Sequence, residues 1–119
     1  MNLGIKDEAF VRGKVPMTKE EIRILTLVKA QIAPDAVIYD VGAGTGSLSI
    51  EAARLAPAGH VYAIEKNPEA IGLIAENAKR FGTENITAIE GTAPDALEGL
   101  PALDVALIGG SGRKLSDIL

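Results

Sequence analysis

Ten residues, Val37-Ile38-Tyr39-Asp40-Val41-Gly42-Ala43-Gly44-Thr45-Gly46, constrain this chain more than any other stretch. An apolar run rich in β-branched residues ends at an acid and passes into a turn with glycine at every second position. The run reads as a buried strand, because it lacks the alternating polarity of a strand with one wet face. The glycines allow backbone conformations closed to other residues, so a ligand can lie directly against the main chain. A helix after such a turn completes the arrangement by which open α/β sheets hold nucleotide-like ligands.

The rest of the sequence supplies the partners that such a strand needs. Residues 1–17 are irregular. Thr18-Lys19-Glu20-Glu21 has the spacing of a capping box, and Ile22, Leu25, Val28 and Ile32 follow at helical intervals until Pro34. Strands are expected over 36–41, 60–64, 86–89 and 103–108, and a helix over 47–56. Asn67-Pro68 provides an N-cap and a first-turn proline for a further helix, with Ile71, Ile74, Ala75 and Ala78 as its apolar stripe and Gly82 as its stop. Residues 94–97 suggest one helical turn and 113–119 the start of another helix. Strands alternating with helices predict an α/β fold of the Rossmann-like kind, a mostly parallel sheet with helices on both faces. The last strand, which reads as buried on both faces, would leave an exposed edge. The chain is therefore expected to be the N-terminal part of a longer domain, or to have that edge covered by a partner.

Composition removes whole classes of function. At 119 residues the chain is expected to form one domain, and at 47% hydrophobic it can fill a core. It has no cysteine, which excludes disulfides, zinc–thiolate sites and thiol nucleophiles. Its one histidine, His60, lacks companions for a metal site and reads as a turn residue at a strand entry. No metal is expected. A net charge of −4 and four Phe and Tyr residues in all argue against a duplex or single-strand nucleic-acid binder. No apolar run is long enough to span a membrane, and no leader pattern opens the sequence, so a cytoplasmic setting is expected.

The chemistry-bearing residues gather just past the strand ends, where such sheets bind ligands. They are Asp40 with the turn 42–46, then Glu65, then Glu90-Gly91-Thr92-Ala93, then Gly109-Gly110-Ser111-Gly112. Glu65 lies 21 residues beyond Gly44, the offset at which an acid accepts hydrogen bonds from ribose hydroxyls. The dinucleotide fingerprint would place its third glycine where this chain has Ser47, and the third glycine here, Gly46, comes one residue early. An acid at Asp40 also suits a ligand with a cationic amino-acid end better than a pyrophosphate, which prefers a bare helix N-terminus.

The pattern Asp-x-Gly-x-Gly-x-Gly resembles the first motif of the class I S-adenosylmethionine (SAM) methyltransferases. A narrower resemblance covers nearly the whole chain. Gly13-Lys14-Val15-Pro16-Met17-Thr18-Lys19-Glu20-Glu21-Ile22-Arg23, the segment 40–47, Ala63-Ile64-Glu65-Lys66-Asn67-Pro68 and Ile108-Gly109-Gly110-Ser111-Gly112 are similar to the decarboxylating precorrin methyltransferases of cobalamin biosynthesis. These methylate carbon 15 of a corrin precursor and remove the carboxyl of a neighbouring acetate chain. The resemblance implies SAM as cofactor, a tetrapyrrole substrate, and self-association. It implies cofactor contacts at Thr18, Asp40, Gly42, Ala43, Gly44, Thr45, Gly46, Glu65, Thr92 and Ala93. The family commonly has Gly-Asp-Ala where this chain has Gly91-Thr92-Ala93. A hydroxyl accepts more weakly than a carboxylate, so adenine recognition would lean on the backbone of Ala93.

A substrate with many carboxylates would meet Arg12, Lys14, Lys19, Arg113 and Lys114, residues that otherwise serve as ordinary solvated surface. No catalytic acid or base is assigned. Methyl transfer needs alignment and exclusion of water more than it needs a nucleophile. Other readings are a methyltransferase for a different small molecule or a protein, and a non-catalytic SAM-binding fragment. A nucleic-acid amino-methyltransferase would show Asn- or Asp-Pro-Pro-Tyr after the fourth strand, and an NAD-dependent dehydrogenase is opposed by Ser47 and Asp40.

Overall fold

The structure is a computed structural model, and it describes residues 3–108. Four strands, β1 (Val37–Val41), β2 (His60–Glu65), β3 (Ile86–Glu90) and β4 (Val105–Ile108), form one sheet in the order β3-β2-β1-β4. Every pairing is parallel. The helices are α1 (Glu20–Ala30), α2 (Ser47–Leu55) and α3 (Pro68–Arg80), with short 3-10 turns at Asp7–Ala9 and Asp95–Leu97. The sequence-based elements lie within a few residues of these, except for 113–119, which fall outside the described residues.

The strand order places the site. From β1 the chain steps outward through β2 to β3, then returns to lay β4 on the other side of β1. The sheet therefore changes direction between β1 and β4, and a crevice opens there beyond their carboxyl ends. The glycine turn follows β1 directly into that crevice.

Register divides the sheet into two faces. Ile38, Val61, Ile86 and Val105 are in line across it, and they pack with Leu27 of α1 and with Leu48, Ala52 and Ala53 of α2. Ala63 and Ala88 on the same face meet Ile71 and Ile74 of α3. Tyr39 and Tyr62 lie on the opposite face in edge-to-face contact at 6.0 Å, and Tyr62 touches His60 at 4.8 Å. His60 thus opens β2, with Nε2 2.7 Å from Thr87 Oγ1. Among the described residues no cluster of metal-ligating side chains occurs. No described helix is long and apolar enough to cross a membrane.

Helix α1 differs most from the sequence-based expectation. Ile22, Leu25 and Val28 are 55%, 53% and 57% exposed, while Arg23 and Leu27 are buried. The helix carries apolar residues on several sides, so spacing alone does not select the inward one. It ends at Gln31 in the left-handed conformation, before Pro34, and Ile32 lies beyond it. The capping box does not form. Lys19 is the N-cap without a side-chain bond, and the Thr18 carbonyl instead accepts from Arg23 at 2.6 Å. In α3 the inward face is Ala70, Leu73, Ile74 and Asn77, with Ala75 exposed. Asn67 caps that helix through the Glu69 N–H at 2.9 Å.

Arg23 decides the orientation of α1. Its guanidinium is 0% exposed. Nε donates to Glu51 Oε2 at 2.8 Å, and a terminal nitrogen donates to Asp7 Oδ1 at 2.8 Å. The Ile5 carbonyl accepts from the other terminal nitrogen, and the Phe10 ring lies 4.9 Å from the guanidinium carbon. Glu51 Oε1 in turn accepts from the N–H groups of Gly4 and Ile5, at 2.7 and 3.2 Å. Residues 3–18 are thereby strapped across α1 and α2. Removing one partner of a buried pair leaves the other charge uncompensated, at about 3–5 kcal/mol. Arg23→Leu should therefore lower stability to urea by about that much, and a loss near that of an ordinary surface substitution would refute the assigned role.

Candidate functional site

The glycine turn is held from several sides. The N–H groups of Gly42 and Ala43 both donate to the Ile64 carbonyl, at 2.9 and 3.1 Å, which ties the turn to β2. Gly44 N–H donates to Glu65 Oε1 at 2.9 Å, and Asn67 N–H donates to Glu65 Oε2 at 2.9 Å. Glu65 is thus fixed at both oxygens by backbone, yet it remains half-buried and each oxygen retains capacity to accept. The third strand end joins the group through Gly91 N–H, which donates to the Glu65 carbonyl at 2.9 Å.

Two glycines are required by close approach. Gly44 has φ +58°, and a Cβ there would stand 2.9 Å from the carbonyl oxygen of Pro16. The strap therefore lies directly on the turn. Gly46 has φ +84° and would press a side chain onto Ile74 of α3 at 3.1 Å. Its early position, which separates this motif from the dinucleotide fingerprint, seats the start of α2 against α3.

Asp40 lies beneath the turn and is 0% exposed. Ser49 Oγ donates to its Oδ2 at 2.6 Å. Oδ1 has no hydrogen-bond partner among the described residues, and neither has the buried Oγ1 of Thr45. Burial raises the Asp40 pKa to about 6 from an ordinary 3.8, the Ser49 bond opposes that rise, and the nearby Glu65 charge adds to it. Polar atoms buried without partners are rare and point to a ligand or water that completes them.

The structure brings together the turn 42–46, Asp40 and Glu65, and ties Gly91 to them. Thr92 is exposed and Ala93 half-buried, one turn away, with the Thr92 carbonyl accepting from Ala96 N–H at 2.9 Å. Thr18 is half-buried, and its hydroxyl makes no hydrogen bond among the described residues, so no cap occupies it. Arg12, Lys14 and Lys19 are exposed on the strap. Arg113, Lys114 and the segment Gly109-Gly110-Ser111-Gly112 lie outside the described residues. A cleft of about 500 Å³ lined by Arg54, His60, Phe81 and Asn85, among others, sits at the amino ends of β2 and β3, away from these acids.

Sequence reasoning missed Ser49, Glu51 and Asn77, all buried polar residues on helices. For Asn77 a signal existed: a lone amide at helical spacing from Ala70, Leu73 and Ile74.

A family profile described as a precorrin methyltransferase domain matches residues 8–118. The chain is 47% identical over 116 residues to the cobalt-precorrin-6B C(15)-methyltransferase (decarboxylating) of Salmonella typhimurium, covering 97% of this chain and 59% of that one. It is similar to the crystal structure of precorrin-6y C5,15-methyltransferase from Geobacter metallireducens, with a TM-score of 0.87 and 44% identity over 98% of this chain and 61% of the other. The precorrin 8W decarboxylase of Methanobacterium thermoautotrophicum gives a TM-score of 0.85 at 41% identity, covering 96% and 62%. The chain thus spans about three fifths of the length of these relatives.

The buried carboxylate makes stability depend on pH. Below about pH 4 Asp40 is protonated in both the folded and the unfolded chain. Between about 4 and 6 the folded protein keeps a proton that the unfolded chain releases, so stability from this group falls as pH rises through 6. The loss is on the order of 3 kcal/mol. Asp40→Asn removes it, so urea denaturation should show the variant gaining on wild type from pH 4 to pH 7. A wild-type-to-variant difference that stays constant with pH would contradict the assignment.

Proposed function

The chain belongs to the precorrin methyltransferase family, and from that membership we propose that residues 1–119 form the SAM-binding part of an enzyme that methylates carbon 15 of a corrin precursor with loss of an acetate carboxyl. Its fold is that of the class I methyltransferases. The observation that carries the cofactor assignment is the pairing of two carboxylates at one turn. Glu65 is fixed by Gly44 N–H and Asn67 N–H but can still accept, and Asp40 keeps an unpartnered oxygen under the same turn.

Each chemical part of SAM finds a matching group. The ribose hydroxyls go to Glu65. The amino-acid end lies along the backbone of residues 42–46, where the negative field of Asp40 favours its ammonium. Thr18, whose hydroxyl no cap uses, faces the cofactor from the strap. Thr92 and Ala93 border the adenine, with a hydroxyl in place of the family's carboxylate. When bound, SAM supplies an electrophilic methyl group on a sulfonium. The chain holds that group in line with the acceptor carbon and, through the strap over Gly44, keeps water from it. Arg12, Lys14 and Lys19 offer cations to a polycarboxylate substrate at the rim.

We further propose self-association. Ile22, Leu25 and Val28 present an exposed apolar stripe on α1, the kind of surface that assembly covers. Sedimentation velocity should show a species heavier than a monomer, and Ile22→Ser/Leu25→Ser/Val28→Ser should dissociate it. A wild-type chain that stays monomeric would end this part of the proposal.

The cofactor is tested by calorimetric titration with S-adenosylhomocysteine. Wild type should bind, and Glu65→Ala should weaken binding by at least about tenfold, since hydrogen bonds to a charged acceptor contribute roughly 1.5–3 kcal/mol each. No binding by wild type removes the cofactor claim for this chain. Equal binding by both removes Glu65 from the site.

A further inference from the structure

Asn77 stands where α3 should present an apolar residue, and it is fully buried. Its side-chain amide is engaged on both sides. Oδ1 accepts from Val11 N–H at 2.7 Å, and Nδ2 donates to the Val11 carbonyl at 2.9 Å. This reads the Val11 backbone as a neighbouring strand would. The second Nδ2 hydrogen goes to the Thr45 carbonyl at 2.9 Å. One side chain therefore clamps the strap and the glycine turn to each other. The clamp closes a loop of contacts, since Pro16, further along the strap, lies against Gly44. Gly13 lies near the start of the same helix, where a Cβ would meet Glu69 Oε2 at 2.9 Å.

We propose that Asn77 is a positioning residue for the cofactor site. Its contact with the turn is the one hydrogen bond to the Thr45 carbonyl. It fixes the peptide between Thr45 and Gly46 from behind and sets the height of the strap above Gly44. The turn and the strap then form one rigid cradle, and its order before ligand arrives lowers the entropic cost of binding. This inference rests on the SAM reading of the site.

Asn85 provides the control, because its Nδ2 braces the carbonyls of Ala53 and Ala56 at 3.1 and 2.9 Å, at the opposite end of the sheet. Asn77→Ala and Asn85→Ala should each lower the melting temperature. In titrations with S-adenosylhomocysteine, below both melting temperatures, Asn77→Ala should raise Kd by about tenfold, and Asn85→Ala should leave it within about twofold. Amide hydrogen exchange without ligand should quicken at Val11 and across residues 42–46 together in Asn77→Ala, and at neither in Asn85→Ala. A Kd unchanged by Asn77→Ala, or raised equally by Asn85→Ala, would overturn the proposal. If wild type itself does not bind, the SAM reading fails, and the exchange experiment still decides the clamp. Joint quickening supports it, and quickening confined to one segment overturns it. Should Asn77→Ala not fold, protection in wild type decides. Slower exchange at Val11 together with Gly44 on adding S-adenosylhomocysteine supports the proposal, and an unaffected Val11 overturns it.

Discussion

A guanidinium removed from water is tolerated only where acceptors surround it, and this requirement at Arg23 shapes the amino-terminal half of the molecule. Glu51 of α2, Asp7, and the carbonyls of Ile5 and Thr18 meet it from separate segments. Satisfying Arg23 therefore brings the strap, α1 and α2 together at one point. The orientation of α1 follows, with its apolar stripe turned outward, because turning that stripe inward would expose the charge network. Arg23 also pins the strap on both sides of Pro16, at Ile5 and Asp7 before it and at Thr18 after it, and Asn77 holds it between them at Val11.

The site uses two carboxylates in unlike surroundings. Asp40 is sealed in, held by Ser49 at one oxygen, and pushed to a pKa of about 6 by its burial. Glu65, at the end of the neighbouring strand, is gripped by backbone N–H groups and stays within reach of solvent. Environment thus sets the two acids apart. In the proposed reading Glu65 makes contacts and Asp40 supplies field. There Asn77 contributes neither charge nor a ligand contact and acts on the geometry of the cradle.

Much of this was legible in the sequence, for identifiable reasons. The strand–turn–helix at 37–55 was visible because glycine spacing and β-branched runs are local signals, and the offset from Gly44 to Glu65 follows from the length of one helix and one strand. Asn67-Pro68 announced α3 through cap chemistry that needs no tertiary partner, and the bond from Asn67 to Glu69 N–H forms. What was not legible depends on contacts distant in sequence. Thr18-x-x-Glu21 has the spacing of a capping box, but Arg23, buried through its pairing with the distant Glu51, takes the Thr18 carbonyl. For the same reason the helical spacing of Ile22, Leu25 and Val28 does not mark the inward face of α1. Asn77 reaches Val11 across 66 residues, a partnership that no local pattern encodes. The bond from Ser49 to Asp40 joins a helix to a strand end, and no local pattern marks it either.

In the proposed function the turn after β1, Glu65 and the overlying strap together form a SAM cradle. A crystal structure of the chain grown with S-adenosylhomocysteine tests it most directly. Ribose hydroxyls are expected on the Glu65 carboxylate, the amino-acid end along residues 42–46 beneath Pro16, and adenine beside Thr92 and Ala93. Density for the ligand in the cleft between Arg54 and Asn85, or a Glu65 carboxylate with no ribose upon it, would contradict it.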